Sequence, residues 1–286
     1  MSNIVLAWPN HSDDATLTSS ATWETTLPLT ELQTRIFSDV AQTANLSPTI
    51  TVTWSDYRSI GTVALAAHNL SATATVRVRI FSDAAKTTLL EDSGTNPAWP
   101  RVFDSLSLPW ESSNFWSGQP LQSDIAKFTP LFVWHSTRNY FAKCVQIDIV
   151  DSSNPASYVE IGRLFCATRF QPRINPNYGK LDIQYVASTD VTESQDENTT
   201  EYFRVRKPKR MVYIGLDWLD KTEAIMKILD AQRTQGIDKE ILYAETAEYD
   251  AYSMSTTFIG RLTSLDKLSL PNINLYSGSI NIKEIL

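Results

Sequence analysis

Near neutral pH, proton and group transfer run mostly through histidine, a thiolate or paired carboxylates, so these residues are placed first. The three histidines are His11 in a polar turn, His68 at the end of an apolar run, and His135 directly after Trp134. None has a second His, Cys or carboxylate at metal-ligand or proton-relay spacing, and each reads as structural. Cys144 and Cys166, the only cysteines, lie inside strand-like apolar runs, where an unoxidised thiol packs as a small hydrophobe. A disulfide between them and reactive chemistry are the alternatives. Asp104, Glu111 and Asp124 could flank a sugar as in a glycoside hydrolase, yet any surface loop holds carboxylates. There is no nucleophile elbow, phosphate loop or dinucleotide fingerprint, and 9 glycines leave little room for one. The expectation is a protein with no catalytic residues, no metal and no cofactor.

Aromatic residues are the more informative group. Between Ser93 and Trp134 the chain carries Trp99, Trp110, Trp116 and Trp134 together with Pro97, Pro100, Pro109, Pro120 and Pro130. Prolines at that density interrupt a hydrogen-bonded ladder, so residues 93–134 read as a long ordered insertion over one end of a sandwich. Exposed indoles stack on sugar faces and anchor protein interfaces for the same reason: both remove a large rigid surface from water at low entropic cost. Pinning the proline-rich loop to the main core is a third use of the same residues. A second candidate contact is Arg204, Arg206 and Lys207, in the basic stretch that ends with Lys209 and Arg210 and follows the acidic Thr189–Glu201. Adjacent blocks of opposite charge mark a solvated hairpin or a subunit contact with an acidic neighbour.

The elements that must position these residues are mostly strands. Ile50, Val52 and Trp54, then Val76, Val78 and Ile80, then Val145, Ile147 and Ile149 alternate as half-buried antiparallel strands do. Ile60 to Ala67 is continuously apolar, as in a strand covered on both faces. Turn clusters such as Ser152 to Pro155 separate them, and the spacing predicts a β-sandwich. After Phe170 to Tyr178, stiffened by Pro172 and Pro176, the pattern changes. Asp220 and Glu223 predict a capped helix over Lys221 to Gln235, with Ile225, Ile228, Leu229 and Gln232 inward, Lys221, Lys227 and Arg233 outward, and Gly236 as a left-handed cap. Strands are expected at Met211 to Leu216, Ile241 to Ala244, Ser255 to Leu262 and Ser279 to Ile285. The reading is mainly β, with a sandwich domain over 1–174 and a small α+β domain with one helix over 175–286.

Composition narrows the partners. Lys and Arg total 25 against 32 Asp and Glu, a formal charge of −7, so nucleic acid is not an expected ligand. No run approaches the roughly 18 apolar residues of a membrane span, and Met1 to Asn10 does not read as a secretory leader, so synthesis in the cytoplasm is expected.

Several phrases, in order, resemble structural proteins of the tail tip or baseplate of long-tailed bacteriophages, of the distal-tail or minor-tail kind. They are Asn3-Ile4-Val5-Leu6-Ala7-Trp8-Pro9-Asn10, Leu27-Pro28-Leu29, Leu32-Gln33, Ala67-His68-Asn69-Leu70, Trp99-Pro100-Arg101-Val102, Leu108-Pro109-Trp110 and Asn114-Phe115-Trp116. Tyr158 to Phe165, Leu216-Asp217-Trp218-Leu219 and Phe258-Ile259-Gly260-Arg261-Leu262 continue the series. The first domain also looks like the galactose-binding-like jelly rolls. The resemblance implies a virion component at the tail tip that contacts the tube, hub and fibre proteins and forms threefold or sixfold rings of itself. A carbohydrate-binding, receptor-recognition role toward a host-surface glycan is the alternative that the jelly-roll likeness implies.

Overall fold

The structure is a computed structural model that describes residues 3–103, 107–123, 125, 129–193, 201–250, 252–273 and 275–285. Two compact units emerge, Met1–Gln171 with Ala244–Thr257, and Pro172–Tyr243 with Phe258–Leu286. Residues 244–257, expected in the second domain, belong to the first unit because Tyr249 and Met254 pack against its core.

The first unit is an antiparallel β-sandwich built from β1 (Val5–Asn10), β2 (Thr16–Ser19), β3 (Ala41–Thr43), β4 (Thr49–Ala66), β5 (Thr75–Phe81), β6 (Leu89–Pro97), β7 (Leu131–Val150), β8 (Val159–Ile161) and β9 (Arg163–Phe170). Its main sheet runs β1-β9-β4-β7-β5-β6, with β2 also on β4, and β3 pairs with β8 separately. The two apolar runs around Trp54 and Val63 form one 18-residue strand, β4. Its first half alternates as expected, with Ile50, Val52 and Trp54 buried. From Ile60 it is buried on both faces, because β7 lies along one edge, β9 along the other, and its side chains meet protein above and below. Between Thr53 and Arg58 the register with β7 shifts, which turns Ser55, Asp56 and Tyr57 out to solvent.

Polar side chains knit the ends of this sandwich. The Asn10 carboxamide accepts from Cys166 N at 2.9 Å and donates to Leu164 O at 3.0 Å, joining β1 to β9. Asn69 does the same for β8, donating to Tyr158 O at 3.0 Å and accepting from Glu160 N at 2.8 Å. Arg163 is fully buried with its guanidinium 2.7 Å from the Asp13 carboxylate. Cys144 and Cys166 are buried free thiols, and burial raises the pKa of both.

The second unit holds β10 (Leu181–Val186), β11 (Asp190–Glu193), β12 (Glu201–Arg204), β13 (Lys209–Leu219), β14 (Glu240–Ala244), β15 (Phe258–Leu262), β16 (Ser269–Asn272) and β17 (Leu275–Glu284). One sheet runs β10-β13-β17-β15-β14 with β16 on β17, and β11 and β12 form a separate two-stranded ribbon. A short helix, Ser253–Thr256, in the segment that belongs to the first unit, occupies the start of the strand expected from Ser255.

The single long helix lies where the sequence places it, as a π-helical stretch Thr222–Leu229 followed by α-helix Asp230–Gln235. Its start is a reciprocal cap. Asp220 accepts from Glu223 N at 2.7 Å, while Glu223 accepts from Asp220 N at 3.2 Å. The buried stripe is Ala224, Ile228, Ala231 and Gln235, and Leu229, expected inside, is exposed. The wider winding of the first turns rotates the faces relative to a regular 3.6-residue helix. Gly236 has φ 55° and ψ −145°, a region open only to glycine and not the left-handed cap expected.

Arg210 departs from the sequence reading of a solvated basic stretch. It is buried, with its backbone N–H 2.9 Å from Glu284 Oε2 and its Nε 3.0 Å from Oε1, and its guanidinium lies over the Phe258 ring at 5.2 Å. Removing one member of a buried pair strands the other charge out of water. Glu284→Ala is therefore expected to destabilise the protein by about 3 kcal/mol in chemical unfolding, whereas Asp190→Ala, at the exposed Arg206 pair, should cost less than about 1 kcal/mol.

Candidate functional site

The aromatic-rich segment is shorter than its proline content suggests. Edge strand β6 keeps pairing as far as Pro97, opposite Thr75, and β7 begins at Leu131, so the loop proper spans 98–130. Proline is tolerated at the end of an edge strand because its missing N–H faces away from the ladder. Asp104 and Asp124 lie outside the described residues, and Glu111 is an exposed loop carboxylate.

The four tryptophans have separate fates. Trp99 is fully buried, and its indole Nε1–H donates to Leu70 O at 2.9 Å. The His68 ring meets it edge-on, with centroids 5.2 Å apart. Trp134 is a half-buried residue of β7 opposite Val63 and packs on the main core. Neither offers a free ring to a partner. Trp110 and Trp116 are 75% and 88% exposed. The exposed candidates are thus these two residues, with Phe115 edge-on to Trp116 at 5.1 Å.

What holds that surface is a set of hydrogen bonds to loop backbone. Val102 N and Phe103 N both donate to Gly118 O, at 2.8 and 2.9 Å, and Gly118 N donates to Asn114 O at 2.7 Å. Gly118 adopts φ +64°, and a Cβ there would stand 2.5 Å from Phe103 O, so the turn requires glycine. The Asn114 amide donates to Gln119 O at 2.8 Å, and Gln119 donates to Trp99 O at 3.2 Å, tying the outer turn to the buried anchor. Gln122 accepts from Ala72 N at 3.0 Å.

Tyr249 is the residue that sequence reasoning missed. Its hydroxyl donates to Ala98 O at 2.8 Å and lies 3.3 Å from Leu131 O, so it staples both ends of the loop. Its ring packs edge-on against Phe132 at 5.8 Å, and burial pushes its pKa up. It sits in a polar stretch more than a hundred residues from the loop, with no periodic signal to mark it.

Below the anchor, the loop after His68 rests on Asp151, which accepts from Ser71 N at 2.9 Å, from the Ser71 hydroxyl, and from Asn154 Nδ2 at 2.8 Å. His68 is buried, its Nε2 has no hydrogen-bond partner among the described residues, and burial lowers its pKa to about 3. His135, bonded through Nδ1 to the Thr62 hydroxyl at 2.9 Å, is likewise lowered to about 3, by burial first and the Arg169 charge second. Among the described residues no group of three His, Cys, Asp or Glu side chains is placed to hold a metal ion.

The second candidate region is also exposed. Arg204 stands opposite Asp190 across the ribbon, Arg206 is 2.7 Å from the Asp190 carboxylate, and Lys207 is exposed without an ion-pair partner among the described residues. Val191, Tyr202 and Phe203 of the ribbon and Val205 directly after it are each more than half exposed.

No protein-family model matches the chain, and no curated protein matches it. Solved structures show some likeness. The CBM32 of AlyQ in complex with 4,5-unsaturated mannuronic acid is 16% identical over 56% of this chain and 96% of its own, with a TM-score of 0.36. The family 32 CBM from C. perfringens NanJ in complex with galactose is 12% identical over 58% of this chain and 99% of its own, with a TM-score of 0.37. The family 32 carbohydrate-binding module from Streptococcus pneumoniae EndoD is 14% identical over 56% and 99%, with a TM-score of 0.38. What those modules bind is a property of those modules.

Two outcomes follow from the geometry. Trp99→Ala should cost about 3 to 5 kcal/mol of stability, while Trp110→Ala and Trp116→Ala should leave the thermal midpoint nearly unchanged. His68 ionises near 6.5 when unfolded but only near 3 when folded, so between those values the unfolded chain binds more protons. Stability should therefore fall as pH drops from about 6.5 towards 3, measured as a falling thermal midpoint that is flatter in His68→Leu.

Proposed function

We propose that the first unit is a non-catalytic recognition module that stacks the face of a sugar on Trp110 and Trp116. The observation that carries this is the pairing of nearly full indole exposure with a fixed loop backbone. A large apolar ring left in water costs free energy, and a ring already held in place loses little entropy when a ligand covers it. A pyranose offers an apolar C–H face of matching size with hydroxyls around it, and exposed Glu111 beside Trp110 supplies an acceptor for such a hydroxyl. On a glycan array the protein should bind a defined set of glycans, and Trp110→Ala or Trp116→Ala should weaken binding by about tenfold or more. A silent array, or binding unchanged in both variants, would sink this reading.

A second reading has its own support: an assembly component of the tail tip of a long-tailed phage, contacting tube, hub or fibre proteins and copies of itself. It draws on the ordered series of phrases from Asn3 to Leu262 and on the exposed apolar side chains of the β11–β12 ribbon, Val191, Tyr202 and Phe203. Residues of that kind left in water mark contacts with other proteins. Antibody raised against the chain should then decorate the tail end of purified virions, and decoration elsewhere or none would remove the proposal.

A further inference from the structure

We infer that the second unit carries a binding site for a doubly charged oxyanion, a phosphate or sulfate group, where the β10–β13 hairpin gives way to the β11–β12 ribbon. This site is independent of the aromatic loop and of the glycan reading. The ladder is regular from Leu181↔Ile214 to Val186↔Lys209, then resumes only at Asp190↔Arg204. Pro208 explains the interruption. It has no N–H to give the ladder, and its ring restricts Lys207 before it. Where the strands part, a cavity of about 640 Å³ opens, lined by Ala187, Ser188, Thr189, Asp190, Arg206, Lys207, Lys209 and Lys283.

The charge of that lining is the decisive feature. Lysine and arginine contribute four side chains and aspartate one, in a chain whose net charge is −7. Arg206 is paired with Asp190 at 2.7 Å, but Lys207, Lys209 and Lys283 have no ion-pair partner among the described residues. They come from positions held apart in sequence and brought together by the sheet, since β17 places Lys283 opposite Met211 of β13. Three ammonium groups around one cavity give it a positive potential that favours an anion between them. The hydroxyl of Thr189, 3.4 Å from Arg206 N and 3.5 Å from Arg206 O, joins the two connecting segments that line the cavity. The cavity is within the size range of small-ligand sites, and flexible ammonium donors suit a compact, highly charged oxyanion.

Isothermal titration of the full chain with inorganic phosphate, glucose 6-phosphate and glucose tests the site, at two ionic strengths. Phosphate or its sugar ester should bind, more weakly at high salt, while glucose should not bind here; the tighter of the two identifies a free or an esterified group. Lys207→Gln, Lys209→Gln and Lys283→Gln should each weaken binding by about tenfold, with unchanged circular dichroism, and Trp110→Ala should leave phosphate binding intact. Absent binding of both phosphates, or binding equal in wild type and all three lysine variants, would overturn the inference.

Discussion

One buried indole organises the loop end of the first unit. Trp99 enters the core at the foot of a loop of some thirty residues, and its N–H finds one acceptor, Leu70 O, at 2.9 Å. A buried donor without a partner costs as much as the packing gains, so this bond fixes where the ring can sit. That position in turn depends on the Leu70 backbone, which the Asp151 carboxylate holds through Ser71. Tyr249 then closes the loop's two ends on one hydroxyl. Trp110 and Trp116 can stand in solvent on a defined surface because these anchors bear the entropic cost of ordering the loop.

Polar nodes do comparable work elsewhere. Asn10 and Asn69 each satisfy a backbone donor and a backbone acceptor of one neighbouring segment with one side chain, and Arg163 and Arg210 bury guanidinium groups against carboxylates. Such groups tolerate few alternative arrangements, since any slip of register leaves a charge or a carboxamide unpaired. Asn10, Asn69 and Arg163 also lie within the phrases quoted for the sequence resemblance, whereas Arg210 does not. What those phrases encode is therefore largely the frame of the sandwich, while Trp110 and Trp116 are the members that face outward.

Much of this frame was legible from residue spacing. Alternation located the buried faces of β4, β5 and β7, and the Asp220–Glu223 pair announced the helix start, because both signals arise from local geometry. Three things were not. The join of two runs into one bulged strand depends on which neighbours flank β4, and the shifted helix face depends on its wide winding. The division among the tryptophans depends on which of them meets a backbone acceptor and a ring from elsewhere in the chain, as Trp99 meets Leu70 O and His68. A tryptophan in a proline-rich stretch looks the same whether it anchors or presents; only the Leu70 carbonyl and the His68 ring distinguish Trp99 from its exposed companions.

Trp99 is the fixed point and Trp110 and Trp116 are the free surface, and indole hydrogen exchange reads that difference directly. With nitrogen-15-labelled tryptophan, eight indole resonances are expected, assigned by single substitution. The Trp99 indole proton should exchange slowly, at a rate set by opening of the core, and those of Trp110 and Trp116 should exchange near the rate of a free indole. Exchange of Trp99 as fast as Trp110, or protection of Trp110 and Trp116 in the free protein, would contradict it.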